Sequence, residues 1–233
     1  MSDEPIIIAH RGGYGAGELE NTLKSFRKAI ELRVDMIEFD VRRTKDGYLI
    51  AFHDGTVNEM EVSSLTYSEL KSVTGRSNIP QLEQVLKLAK GKIGLDIELK
   101  ETGYESEVVE ILNYYLKPDE FMIKSFHDKS IKLIKELDPN IKSGLLLGVD
   151  KANNKITTRV TELFPIKRLQ RCKADFVSPN YRLLKLFFIK RIKKNGFEIY
   201  VWTVNDEKQM KRLKNKGIDG IITDNPEMAQ SIY

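Results

Sequence analysis

Short apolar runs alternate with amphipathic stretches along the whole chain. "PIIIAH" reads as a strand ending at His10, and "TLKSFRKAIEL" follows with Leu23, Phe26 and Ile30 near helical spacing. "MIEFDV" is the next strand; the turn "TKDG" reverses the chain, and "YLIAFH" carries the apolar run on to His53. After this come the helix "QLEQVLKLA", the strand "KIGLDIELK", the helix "SEVVEILNYYL", the strand "FMIKSF", the helix "KSIKLIKEL" and the strand "KSGLLLG". Lys151 to Arg171 has no clear period and is expected to be loop plus helix. The pattern resumes with the strand "ADFVSP", a helix over "YRLLKLFFIKRIKKNG", the strand "FEIYVWTV", the helix "DEKQMKRLKNKG", the strand "DGIITD" and a short helix from "PEMAQSI".

The order is that of eight βα units. The strands are mostly continuous apolar runs, as a parallel sheet covered by helices on its outer face requires. Eight units in 233 residues predict a closed (β/α)₈ barrel, an α/β fold in one domain, somewhat compact for the class. An open doubly wound sheet is the structural rival. In a barrel, active groups belong where strands end at their C-terminal edge.

Composition narrows the chemistry. The net charge of +4, from 38 basic and 34 acidic residues, is too small to argue for nucleic acid, and no basic stretch is interleaved with stacking aromatics. It fits a mild attraction for small anions. Cys172 is the single cysteine, which excludes a disulfide framework and a thiolate metal site. The start of the chain lacks a basic region followed by a long apolar one, and no apolar run approaches the roughly 20 residues of a membrane span. A cytoplasmic setting is expected.

The ionisable residues gather at predicted strand ends. His10 and Arg11 close the first strand, Glu38 and Asp40 the second, and His53 its extension. Glu98 and Lys100 close the third; Lys124, Ser125 and His127 lie at the fourth; Trp202 is near the end of the seventh; Thr223 and Asp224 end the eighth. Side chains alternate along a strand, so Glu38 and Asp40 share a face, as do Glu98 and Lys100. If those faces point into the barrel mouth, three carboxylates converge and repel unless neutralised. A hard divalent cation (Mg²⁺ or Ca²⁺) resolves the conflict, because carboxylate oxygens are its natural ligands. Such an ion beside two histidines and the cations Arg11 and Lys100 suits a phosphoester. The cations spread charge on phosphoryl oxygens, and the imidazoles exchange protons with nucleophile and leaving group.

"HRGGYGAGELENT" and "EFDVRRTKDGYLIAFHD" resemble the signatures of the glycerophosphodiester phosphodiesterase family, an HRG…PENT segment and an E-x-D…HD segment. "DIELK", "VWTVN" and "GIITDNP" are similar to its third, seventh and eighth strands. The resemblance covers most of the chain in the right order. It implies a TIM barrel, dependence on a divalent metal (Mn²⁺ also), and hydrolysis of glycerophosphodiesters to glycerol 3-phosphate and an alcohol. It implies His10 and His53 as the acid–base pair, Glu38, Asp40 and Glu98 as metal ligands, Arg11 and Lys100 as phosphate-side cations and Trp202 as an aromatic near the substrate. Leu19 stands where the family has proline. The segment over 54–80, between the second strand and its helix, is short for the family and lacks its arginine-threonine-threonine motif, which leaves the alcohol head group open.

Other residues carry plainer expectations. Asn21 and Thr22 suit the N-cap of the first helix, with Asn21 also able to reach a metal or substrate. Asp96 lies one pleat deeper than Glu98 and suits a structural or orienting role. His127 is expected in a loop near the pocket, and Lys124 and Trp202 suit core or substrate equally. The basic helix over 181–196 fits a barrel helix better than a membrane-surface one. Two alternatives to the hydrolase stay open: a phospholipase acting through a cyclic phosphate, and a non-catalytic barrel that binds a polyol phosphate.

Overall fold

Eight parallel strands follow one another in chain order around a closed ring. They are β1 (Ile6–Ala9), β2 (Met36–Arg43), β6 (Gly94–Leu99), β7 (Phe121–Ser125), β8 (Lys142–Leu147), β9 (Phe176–Pro179), β10 (Glu198–Val201) and β11 (Gly220–Thr223). The computed structural model describes residues 4–13, 19–148, 160–185 and 187–233. β1 is hydrogen-bonded to β11 on one side (Ile8↔Ile222) and to β2 on the other (Ala9↔Ile37), which closes the ring. Closure rules out the open doubly wound sheet.

Among the described residues, three further strands lie outside the ring. β3 (Leu49–Ala51) folds back antiparallel on the end of β2, Val41 opposite Ala51, through the predicted "TKDG" turn. β4 (Thr56–Val57) and β5 (Met60–Glu61) form a small hairpin within the 54–80 segment, ahead of a helix over Tyr67–Thr74. Ile50, Phe52, Val62, Leu65, Leu70 and Ile79 make a small second core beneath this segment.

β2 shows why its sequence reads as it does. Ile37, Phe39 and Val41 point outward and are fully buried against the helical layer, where Phe39 meets Phe26 of the first helix (Leu23–Glu31) at 5.8 Å between ring centroids. Alternation then sends Glu38 and Asp40 inward. Thr22 caps the first helix in a reciprocal pair with Ser25. Asn21, expected to share that cap, instead turns at φ 53° and points its amide at Asp40.

Inside the barrel, Ile8, Met122, Phe176, Tyr200 and Ile222 form an apolar plug. Gly144 is part of that fit: a Cβ there would lie 2.3 Å from the Phe176 ring, so β8 has no room for a side chain at this level. The acidic residues of β2 and β6 lie level with this plug and above it, toward the strands' C-terminal ends.

The predicted helix over 181–196 is shorter than its pattern. A 3₁₀ turn covers Tyr181–Leu183, and the helix runs only over Phe188–Lys194. Two local features divide the segment. The Asn180 side chain accepts from the Arg182 amide, and Phe187 takes a left-handed φ of 59° with its ring in solvent. Phe188 and Ile192 bury the expected inner face. In the 151–171 region a helix covers Ile166–Cys172; residues 151–159 lie outside the described residues, as do 14–18 of the "HRGGYGAGELENT" segment. Among the described residues, no helix is long and apolar enough to cross a membrane.

Candidate active site

β1 ends in a short 3₁₀ turn, His10–Gly12, that lifts His10 and Arg11 over the barrel mouth. The turn needs Gly12: its φ is 92°, and a Cβ would lie 2.4 Å from Ser25 Oγ at the start of the first helix. Arg11 itself takes φ 51°, a strained value for a residue with a side chain. The strain places its backbone N–H 2.9 Å from Glu38 Oε2 and its guanidinium between Asp40 (Nε to Oδ2, 3.3 Å) and Glu20 (2.7 Å).

The predicted residues come together. A cavity of about 290 Å³ at the C-terminal mouth is lined by His10, Arg11, Glu38, His53, Glu98, Lys100 and Trp202. Lys124, Phe126, Leu146, Gly148, Thr203 and Ile222 complete it. Asp40 sits just behind this lining and is 1 % exposed. Glu38, Asp40 and Glu98 each offer an oxygen within 4.8 Å of the others. The sheet register explains the convergence: Asp40 pairs with Glu98 and Glu38 with Asp96 on neighbouring strands, so both rows face inward at adjacent levels.

These carboxylates are partly neutralised by the chain itself. Lys100 Nζ lies 2.7 Å from Glu98 Oε1 and 3.2 Å from Asp40 Oδ1. Lys124 Nζ lies 2.6 Å from Asp96 Oδ2 and 3.2 Å from Glu38 Oε1. Burial alone would raise the Asp40 carboxyl, but Lys100 and Arg11 outweigh it and hold Asp40 well below the usual carboxylate range. Burial likewise works against the Lys124 charge, and Asp96, Glu38 and Glu98 hold its pKa above the ordinary lysine value. Burial pushes Asp96 up to about 6 despite Lys124.

The cluster fits a hard divalent cation. Its donors are all carboxylate oxygens. Asp40 Oδ1 and Glu98 Oε1 are buried without an aligned hydrogen bond; their contacts with Lys100 are those of an ion pair only. Buried oxygens left in that condition are costly unless a further positive partner joins them.

The two histidines share a layout. His10 Nδ1 lies 2.6 Å from Asp224 Oδ1 and His53 Nδ1 2.9 Å from Asp54 Oδ1, which leaves each Nε2 for the cavity. His10 Nε2 is 3.9 Å from Glu38 Oε2. Burial pulls the His10 pKa down, yet Glu38 and the hydrogen bond to Asp224 together hold it above 6.5. His53 is more exposed; its backbone carbonyl accepts from Arg42 Nε at 2.8 Å, and Arg42 in turn is paired with Glu101.

Several participants escape a linear reading. Asp224 ends the last strand, and only closure of the ring sets it beside His10; pairing the first strand with the eighth would have found it. Asn21 Nδ2 donates to Asp40 Oδ2 at 2.9 Å, so it reaches the cluster by holding a carboxylate. His127 precedes the helix Asp128–Leu137 and is not among the cavity's residues; Phe126 is. Trp202 forms part of the cavity wall, edge-on to Phe126 at 5.9 Å, with its indole N–H on the Ser178 carbonyl.

The chain is similar to proteins of one family. The model of the glycerophosphoryl diester phosphodiesterase family matches residues 10–228. A glycerophosphodiester phosphodiesterase of Caldanaerobacter subterraneus is 32 % identical, with 95 % of each chain covered. One of Bacillus altitudinis is also 32 % identical over 97 % of each. Among solved structures, a glycerophosphodiester phosphodiesterase from Parabacteroides distasonis superposes with a TM-score of 0.83 at 28 % identity, covering 100 % of this chain and 98 % of that one. An Oleispira antarctica phosphodiesterase in complex with the product sn-glycerol-3-phosphate gives a TM-score of 0.81 at 26 % identity, with 98 % and 96 % covered.

Proposed function

Because the chain belongs to the glycerophosphoryl diester phosphodiesterase family, we propose that it hydrolyses glycerophosphodiesters to glycerol 3-phosphate and an alcohol, using a divalent cation and the His10–His53 pair. The observation that carries this reading is the meeting of three carboxylates, two imidazoles and the cations Arg11, Lys100 and Lys124 in and just behind one cavity.

Each residue has a stated task. Glu38, Asp40 and Glu98 would hold the divalent cation, which when bound withdraws negative charge from the phosphoryl oxygens. Arg11 and Lys100 would flank the diester, and their attraction for its oxygens grows as negative charge builds there. His10 and His53 exchange protons through Nε2: one takes a proton from the attacking oxygen, the other gives one to the leaving alkoxide, whose alcohol is too weak an acid to depart unaided. Asp224 and Asp54 fix the proton on Nδ1 and aim the rings. Trp202 and Phe126 offer an apolar wall to the organic part of the substrate.

The reading is tested by hydrolysis of glycerophosphocholine and glycerophosphoethanolamine with an assay for glycerol 3-phosphate. Turnover is expected to stop in EDTA and return with Mg²⁺, Ca²⁺ or Mn²⁺. Turnover that survives full chelation, or that continues at the wild-type rate in His53→Ala, ends the proposal.

A further inference from the structure

Lys124 has no task in the chemistry above, yet its ammonium occupies the most enclosed place beside the carboxylates. The residue is 2 % exposed. It stands on β7 in register with Glu98 on β6, so its side chain enters the barrel at the level of the cluster. From there Nζ bridges two carboxylates of neighbouring strands, Asp96 at 2.6 Å and Glu38 at 3.2 Å.

The charges show what this bridge does. Glu38, Asp40, Asp96 and Glu98 are all buried, and among the described residues two buried lysines oppose them. Lys100 serves Asp40 and Glu98, while Lys124 serves Glu38 and Asp96. Arg11 reaches Asp40 and is shared with Glu20. Without Lys124, Glu38 keeps only the Arg11 amide at Oε2 and the His10 ring at 3.9 Å. Among the described residues, Asp96 has no ion pair besides the one with Lys124.

A fixed positive charge in contact with a metal ligand has two consequences of opposite sign. It makes the ion-free cluster tolerable, since isolated buried carboxylates repel and are costly to desolvate. It also repels an incoming divalent cation and competes with it for Glu38.

We propose that Lys124 is a positioning residue that acts as the resident counter-cation of the cluster, holding Glu38 in place while no divalent ion is bound and weakening the binding of that ion. The inference rests on the reading of Glu38, Asp40 and Glu98 as ligands of a divalent cation.

The experiment uses the full chain stripped with EDTA. Mn²⁺ binding is measured by calorimetric titration, and thermal unfolding is followed with and without the ion. Lys124→Met keeps much of the volume and removes the charge. Its Mn²⁺ dissociation constant is expected to fall at least about tenfold. Its Tm in EDTA is expected to fall by roughly 5–10 °C, with saturating Mn²⁺ recovering most of the loss. Lys124→Arg should stay near wild type in both. A merely structural lysine would lower stability and weaken ion binding together. Native-like Lys124→Met that binds Mn²⁺ no more tightly than wild type therefore overturns the proposal. Should that variant not fold in EDTA, folding restored by Mn²⁺ in it or in Lys124→Gln supports the proposal, and failure to fold even with Mn²⁺ overturns it. Wild-type protein that binds no Mn²⁺ removes the metal reading itself, and this inference with it.

Discussion

His10 and Asp224 are joined across the seam of the barrel, Nδ1 to Oδ1 at 2.6 Å, although 214 residues separate them in the chain. The contact turns the imidazole so that Nε2 faces the cavity. Asp224→Asn should therefore lower kcat by about 10–100-fold, the usual cost of losing an orienting partner, and change KM much less. Steady-state kinetics on glycerophosphocholine separate the two effects.

The same pair sets a pH dependence of stability in EDTA-treated protein. The pKa of His10 is raised above 6.5, so its contribution is full below that pH and is lost as pH rises through the folded value. Burial opposes the Asp224 charge, but the bond to His10 prevails and lowers its pKa below 3.8. Its contribution is present above that pH and is lost as pH falls through the depressed value. The pair is at full strength between pH 3.8 and 6.5. Urea unfolding should show Asp224→Asn less stable than wild type at about pH 5.5, with a smaller gap at about pH 9. An equal gap at both would deny the pair its ionic character.

His10→Ala and His53→Ala should each lower kcat by about 10²–10⁴-fold, the range for removing a general acid or base. Neither should abolish Mn²⁺ binding, because the three carboxylates remain. Rate measurements and ion titration on the same preparations check both halves of this expectation.

Adding the divalent ion should raise Tm. An ion that binds the folded chain alone stabilises it by about 2.7 kcal/mol at a hundred times its dissociation constant. Glu98→Gln should shrink that shift, since it removes the charge of a carboxylate whose Oε1 is buried without an aligned hydrogen bond. A thermal shift as large as wild type in that variant would place the ion elsewhere.

Gly144→Ala tests the interior. The new methyl group would meet the Phe176 ring, and overpacking of this kind costs about 1–3 kcal/mol. Phe176→Leu in the same chain should return part of the loss. Denaturant midpoints of the single and double variants decide it.

Much of this was legible in the sequence because the barrel repeats one pattern. The strands stand out as apolar runs, and the alternation in "IEFDV" by itself places Glu38 and Asp40 on one side. What sequence conceals is contact between strands. Lys124 suits core or substrate equally until register sets it against Glu38 and Asp96. Asn21 suits a cap or a reach toward the site until a left-handed turn points its amide at Asp40. The segment over 181–196 misleads for another reason: its periodicity is helical throughout, but Phe187 turns out of the helical region and ends the continuity. Periodicity reports which face is apolar, and gives no sign of a single residue that turns the other way.

Closure through β1 and β11 also governs when the site comes into being. On a ribosome β1 emerges carrying His10, while β11, which borders it, is made after the other seven strands of the ring. A nascent chain that has not yet released Asp224 has Glu38, Asp40, Glu98 and both imidazoles but no anchor for the His10 ring. The barrel is thus sealed, and the His10 ring aimed, only once β11 has left the ribosome and docked against β1.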